Sequence, residues 1–122
     1  MENYKDLKVY QEGYSLSLRV YKATLSFPED EKYGIVSQMR RSSVSIPCNI
    51  AEGYRRKSRK EYIQFLHIAL GSCSELETLI CLSKDLNMMK KETFEELDNQ
   101  QKFVSVMLLK LIKSLSQVRS NV

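Results

Sequence analysis

Apolar positions recur every three to four residues along this chain and nowhere alternate convincingly with period two, a pattern that predicts helices throughout. The first helix is predicted over residues 6–26, where Tyr10, Tyr14, Leu18, Tyr21 and Leu25 share one face and read as its core stripe, hydroxyls reaching the rim. Phe27-Pro28 ends it, because proline disfavours helical geometry in the residue before it. Pro28 then opens a second helix over 29–54, with Glu29, Asp30 and Glu31 at the positive end of its dipole. Its small and apolar face is Ile35, Met39, Ser43, Ile46, Ile50 and Gly53. Pro47 removes one backbone bond inside that stretch, giving either two short helices or one bent helix. The stripe keeps its register on both sides, which favours one bent helix.

Ser58 with Glu61 three residues later forms a capping-box signature that opens a third helix over 59–86. Its core positions are Tyr62, Phe65, Leu66, Ala69, Cys73, Leu76, Leu79 and Ile80. Gly71-Ser72 lowers helix propensity there, which predicts close approach by the second helix at Ser43 or Ser45. Asn87 suits a left-handed stop. A fourth helix over 91–118 shows Phe94, Leu97, Gln101, Val104, Leu108, Leu111, Leu115 and Val118. Short connections between helices of ~25 residues predict one all-α domain over 1–122, an antiparallel up-down-up-down four-helix bundle ~37 Å long. Leu7, Val9, Leu16, Val20, Val106, Leu109 and Ile112 lie beyond the predicted stripes of the outer helices, which predicts a homo-oligomer that covers them.

Composition narrows the class without naming a function. Only 4 glycines and 2 prolines argue against a many-turned β fold. The longest aliphatic run, Val106-Met107-Leu108-Leu109, is far shorter than a bilayer span, and Met1 to Asp6 lack a secretion signal's apolar segment. No membrane association and a cytoplasmic location are therefore expected. Three cysteines without CxxC spacing read as small apolar fillers, not as a disulfide framework or a zinc site.

The net charge of +4 is unevenly spread. Residues 32–60 hold eight bases against one acid, residues 61–101 three against eight, and residues 102–122 four against none. Much of that excess sits in one predicted connection, Arg55-Arg56-Lys57-Ser58-Arg59-Lys60.

The stretch Gln38-Met39-Arg40-Arg41-Ser42-Ser43-Val44-Ser45-Ile46-Pro47, followed by Asn49-Ile50-Ala51-Glu52-Gly53, carries a resemblance that starts at Phe27-Pro28. It continues through Arg56, Ser58, Glu61, Phe65-Leu66, Ile68-Ala69 and Gly71-Ser72 to Glu75-Leu76-Glu77. In this region the chain resembles the four-helix-bundle proteins encoded within intervening sequences of bacterial large-subunit ribosomal RNA genes. Cys48 and the pair Ser42-Ser43 depart only in size-conserving ways from the small residues common there. The resemblance implies four antiparallel helices assembled as a homopentamer. It extends to the accessory proteins of diversity-generating retroelements, which form a basic five-fold barrel and associate with nucleic acid and a reverse transcriptase.

Candidate chemistry falls in two places. Arg55, Arg56, Lys57, Arg59 and Lys60 at a helix start can attract phosphate, and Tyr54 and Tyr62 beside them can stack on unpaired bases. A solvated charged connection accounts for the same run. On the second helix, Gln38, Arg41, Ser42, Ser45, Asn49 and Glu52 share a polar face. That face is either a site or a hydrogen-bonded network fixing register or subunit packing, with Arg41, Ser45, Asn49 and Glu52 its core members. Arg41 and Glu52 stand ~16 Å apart along the axis, so each needs a partner elsewhere.

An enzyme is not indicated. His67 stands alone in an apolar segment, Glu75 and Glu77 face different ways, and no nucleophile elbow, phosphate loop or metal-ligand spacing occurs. No cofactor, metal or small-molecule substrate is expected. The expected function is non-catalytic binding of nucleic acid, RNA ahead of DNA, by a homo-oligomer; the alternative is a scaffold whose partner is another polypeptide.

Overall fold

The computed structural model describes residues 3–120, with the side chains of 118–120 excepted, so Val118 and Arg119 lie outside the described side chains. Four α-helices pack together: α1 (Lys8–Thr24), α2 (Ile35–Tyr54), α3 (Arg59–Asp85) and α4 (Lys91–Ser120). No strand occurs among the described residues. Each helix touches the next in sequence, and α1 also touches α4, so the four enclose one core. Leu16 and Val20 meet Met39, Ile46 and Ile50 there, together with Leu66, Leu76 and Ile80 of α3 and Leu97, Val104 and Leu108 of α4.

The ends follow local chemistry. Residues Glu29–Glu31 form a separate 3-10 turn, so α2 starts later than the proline alone suggests. Glu31 reaches forward to accept the Ile35 N–H at 3.4 Å, and a Cβ on Gly34 would stand 2.9 Å from that carboxylate oxygen. Ser58 caps α3 by accepting the Glu61 N–H at 3.1 Å. Asn87 (φ 60°) ends α3 in the left-handed region. Beyond it the Met88 N–H reaches Ser83 O at 2.9 Å and the Asn87 N–H reaches Lys84 O at 3.0 Å, a Schellman closure.

α2 runs unbroken through Pro47, as its continuous stripe requires. Proline has no N–H for the Ser43 carbonyl four residues earlier, and α1 supplies the substitute: Ser17 Oγ lies 2.8 Å from Ser43 O. Gly13, one turn before Ser17, makes room for the proline ring; a Cβ there would be 3.2 Å from Ile46 Cγ2 and 3.7 Å from Pro47 Cδ.

That contact corrects the expectation for α1. Its buried side is Val9, Gly13, Leu16, Ser17, Val20 and Thr24, about one residue step (~100°) from the tyrosine stripe. Tyr14 (52 %), Leu18 (53 %), Tyr21 and Leu25 are exposed, and only Tyr10 is half-buried. Small residues win the inner face because a row of tyrosines would hold α1 away from the Pro47 break. It follows that Val9, Leu16, Val20 and Ile112 belong to the core, while Val106 and Leu109 stay exposed.

Three smaller expectations also change. Gly71 is exposed with nothing within 4 Å of a Cβ, so it is not a contact glycine. The close approach falls one residue later, where Ser72 Oγ lies 2.8 Å from Ser45 Oγ. Among the cysteines only Cys73 is a buried filler; Cys48 is exposed and Cys81 half-buried. α3 reaches a mean hydropathy of 1.4 over 18 residues, long and apolar enough by composition to cross a membrane. In this structure its buried side, Leu66, Ala69, Cys73, Leu76 and Ile80, serves the shared core.

Candidate nucleic-acid interface

The basic residues cluster where α2 meets α3, and a glycine sets how closely. A Cβ on Gly53 would stand 2.7 Å from Phe65 Cβ and 3.1 Å from Tyr62 Cδ1, so the two helices converge and residues 55–58 suffice to connect them. Arg55, Arg56, Lys57, Arg59 and Lys60 are all exposed around that crossing.

The cations differ in how they are held. Both nearby acids converge on Arg56, whose guanidinium lies 3.7 Å from Glu52 and 3.9 Å from Glu61 and over the Phe65 ring at 4.8 Å. These pairs are half-exposed and worth at most about 1 kcal/mol each. Glu61 thus turns to Arg56 instead of back to Ser58, so half of the capping box forms. Arg55 lies over the Tyr4 ring at 5.2 Å. Lys57, Arg59 and Lys60 have no carboxylate at ion-pair distance among the described residues and are open to an anion.

Of the two flanking tyrosines, neither stands alone. Tyr54 and Tyr62 meet edge to face at 6.0 Å, and burial first, then Tyr54, pushes the Tyr62 hydroxyl above its ordinary pKa. Tyr62 is therefore committed to the helix crossing.

The polar face of α2 divides in the structure. Asn49 Nδ2 donates to Ser45 O at 2.7 Å and to Ser45 Oγ at 2.9 Å, and Ser72 extends this network across to α3. Ser42 is buried and bonds back to Met39 O. Glu52 joins the basic crossing through Arg56, while Gln38 and Arg41 are exposed. Among the described residues the network links α2 to α3 through Ser45 and Asn49, and its hydrogen bonds do not reach Arg41 or Glu52.

A second feature escapes sequence reasoning, which reads Tyr10, Tyr14, Leu18 and Tyr21 as a core stripe. Tyr4, Tyr10, Tyr14, Leu18 and Tyr21 line an open groove of about 530 Å³ against Val44, Pro47, Cys48 and Ala51 of α2. The rings follow one another, Tyr4 on Tyr10 at 5.0 Å and Tyr10 on Tyr14 at 6.2 Å. Arg40 lies over the Tyr21 ring at 4.6 Å and Arg55 over Tyr4, so a guanidinium stands at each end. The signal for this placement was Gly13 and Ser17, a small pair one step around the helix from the tyrosines.

Elsewhere His67 is exposed, and among the described residues no group of three His, Cys, Asp or Glu side chains is placed to hold a metal ion.

Residues 5–110 match the family model described as 23S rRNA-intervening sequence protein. The fold is similar to a crystal structure of a protein of unknown function from the S23 ribosomal protein family of Bacteroides thetaiotaomicron VPI-5482. That likeness has a TM-score of 0.79 at 27 % identity and covers 86 % of this chain and 98 % of the other. No curated protein is detectably similar in sequence.

Proposed function

The chain belongs to the 23S rRNA-intervening sequence protein family, and from that premise we propose that it is a non-catalytic, RNA-binding helical bundle that works as a homo-oligomer in the cytoplasm. The observation that carries this reading is the crossing of α2 and α3. Five cations stand there within six residues, and among the described residues only Arg56 has a carboxylate at ion-pair distance, while Lys57, Arg59 and Lys60 have none. A polyanion supplies what the chain does not, and RNA is preferred to DNA because the family is described by an rRNA intervening sequence.

The arrangement we favour is antiparallel, up-down-up-down. Its support is the pairing of late residues with early ones: Thr24 Oγ1 accepts from Arg40 Nε at 3.0 Å, and Ser83 Oγ lies 3.4 Å from Met39 Sδ. The oligomer is a homopentamer on the strength of the resemblance. Repeating the cationic crossing around a ring would sum phosphate contacts that are weak singly. A second reading, a scaffold for another polypeptide, draws support from Phe103, Val106 and Leu109, an exposed apolar strip on α4.

Replacing Arg55, Arg56, Lys57, Arg59 and Lys60 together with Gln tests the first reading. Helix content and the mass of five 14.2 kDa copies, about 70 kDa by light scattering, should persist. Affinity for a generic RNA should fall at least about tenfold, with a shallower dependence on salt as fewer counterions are released. Unchanged affinity and salt slope would reject the crossing as the site. Partner binding that resists salt would favour the scaffold.

A further inference from the structure

The tyrosine groove and the cationic crossing share a residue. Arg55 belongs to the crossing, yet its guanidinium covers Tyr4, the first ring of the groove. Along α2 and its C-terminal cap, Arg41, Val44, Cys48, Ala51 and Arg55 fall at spacings of 3, 4, 3 and 4, so two arginines bracket three groove residues on one side of the helix. At the far end Arg40 covers Tyr21. Neither Arg40 nor Arg55 has a carboxylate at ion-pair distance among the described residues, and no carboxylate lines the groove. Rings in a row, two of them (Tyr14 and Tyr21) exposed, with cations at both ends and no acid lining the groove between them, complement a chain with phosphates outside and flat faces within.

We infer that this groove is a track for single-stranded RNA, whose bases stack on Tyr10, Tyr14 and Tyr21 while Arg55 and Arg40 hold phosphates at its two ends. The inference deepens the RNA-binding reading and rests on it. Eleven residues of α1 separate Tyr10 from Tyr21, about 16 Å, the span of about five stacked nucleotides. Duplex RNA cannot use the track, because its bases already stack on one another. An apolar helix of another protein would fit the groove's area but gain nothing from the two guanidinium groups. Stacking on tyrosine tolerates any base, so the track adds affinity for unpaired strands without reading sequence.

Tyr14 is the ring to change, since it is more than half exposed and its loss leaves the core intact. Binding of the full chain to a short fluorescent oligouridine is compared with binding to a duplex RNA of equal length. Tyr14→Ala and Tyr14→Leu should each lose about tenfold in affinity for oligouridine, whereas Tyr14→Phe, which keeps the ring, should not. Duplex affinity and the salt slope should stay unchanged in all three, because no phosphate contact is removed. Retention of binding by Tyr14→Leu overturns the inference in favour of an apolar dock. So does a fall in oligomer mass for Tyr14→Ala, which would make the groove a contact between copies.

The chain has no tryptophan, so Tyr14→Trp places a single reporter in the groove. Its emission should be quenched by oligouridine and not by polyglutamate. Quenching by both, or by neither, overturns the inference even where another variant folds poorly. Failure of the underlying reading looks different: if a four-site Gln variant that keeps Arg55 (Arg56, Lys57, Arg59 and Lys60) retains oligouridine affinity while Tyr14→Ala loses it, the crossing fails and the groove stands.

Discussion

Replacing Ser17 with Ala should destabilise the fold through a carbonyl on a different helix. Ser43 O has no helical donor, because Pro47 occupies the position whose N–H would reach it. Ser17 Oγ lies 2.8 Å from that oxygen and 3.1 Å from Gly13 O. Its single proton serves Ser43, since Gly13 O already receives the Ser17 backbone N–H within α1. Ser43 is fully buried and Ser17 nearly so, and without the hydroxyl the carbonyl recovers a partner only if water is drawn in from the groove that Ser17 lines. Stranding a buried carbonyl costs about 1–3 kcal/mol.

A double-mutant cycle separates that cost from lost packing. Pro47→Ala restores an N–H to the helix, and in that background Ser43 O has its ordinary partner. Ser17→Ala should then cost about 1 kcal/mol or less, giving a coupling of about 1–2 kcal/mol between positions on α1 and α2. Urea unfolding followed by circular dichroism at one fixed protein concentration measures all four corners, the fixed concentration removing any contribution from assembly. Equal cost of Ser17→Ala in both backgrounds would refute the account, leaving Ser17 as a space-filling residue whose hydrogen bond is incidental.

Two glycines should respond oppositely to Ala: Gly53→Ala should cost about 1–3 kcal/mol, because its Cβ would meet Phe65 Cβ at 2.7 Å, and Gly71→Ala should gain about 0.5–1 kcal/mol at an open helical position. Thermal melts of the two variants check the pair, and equal signs would contradict the packing. Burial pushes the Cys73 thiol from 9.0 up to about 11, so between these values the folded chain keeps a proton that the unfolded chain releases. Stability should therefore fall as pH rises from about 9 to 11, and Cys73→Ala should flatten that slope in urea titrations. At neutral pH a maleimide should label exposed Cys48 at once and Cys73 only as fast as the protein opens.

Three of the four helices were legible in the sequence for simple reasons. Their buried faces carry branched apolar residues at helical spacing, and Ser58 and Asn87 mark the limits of α3 by local backbone chemistry that needs no tertiary context. α1 was not legible by the same rule, because two stripes compete on it and the more hydrophobic-looking one is outside. Gly13, Ser17 and Thr24 score poorly as core residues, yet each has a partner on α2: Pro47 for Gly13, Ser43 for Ser17, and Arg40 for Thr24. A period-based reading sees one helix at a time and cannot register a partner. The basic crossing was visible as a run of charge, but the funnelling of both acids onto Arg56 depends on how α3 meets α2, which spacing alone does not contain.

The misread face and the candidate RNA track have one cause. A proline inside α2 leaves a carbonyl that only a hydroxyl from outside can satisfy, and the proline ring leaves space that only a neighbour without a side chain can approach closely. α1 meets both demands with Gly13 and Ser17, which lie on one side of it by their spacing of four. Once that side turns inward, the helical step carries Tyr10, Tyr14, Leu18 and Tyr21 onto the rim of the α1–α2 contact, beside Val44 and Cys48. The rings are thus held in a row by backbone repair, not by their own packing. Sequence rules are expected to fail where a local defect is retained for use. Here the defect at Pro47 lies in the floor of the groove, where removing it would alter the surface on which the tyrosines are displayed.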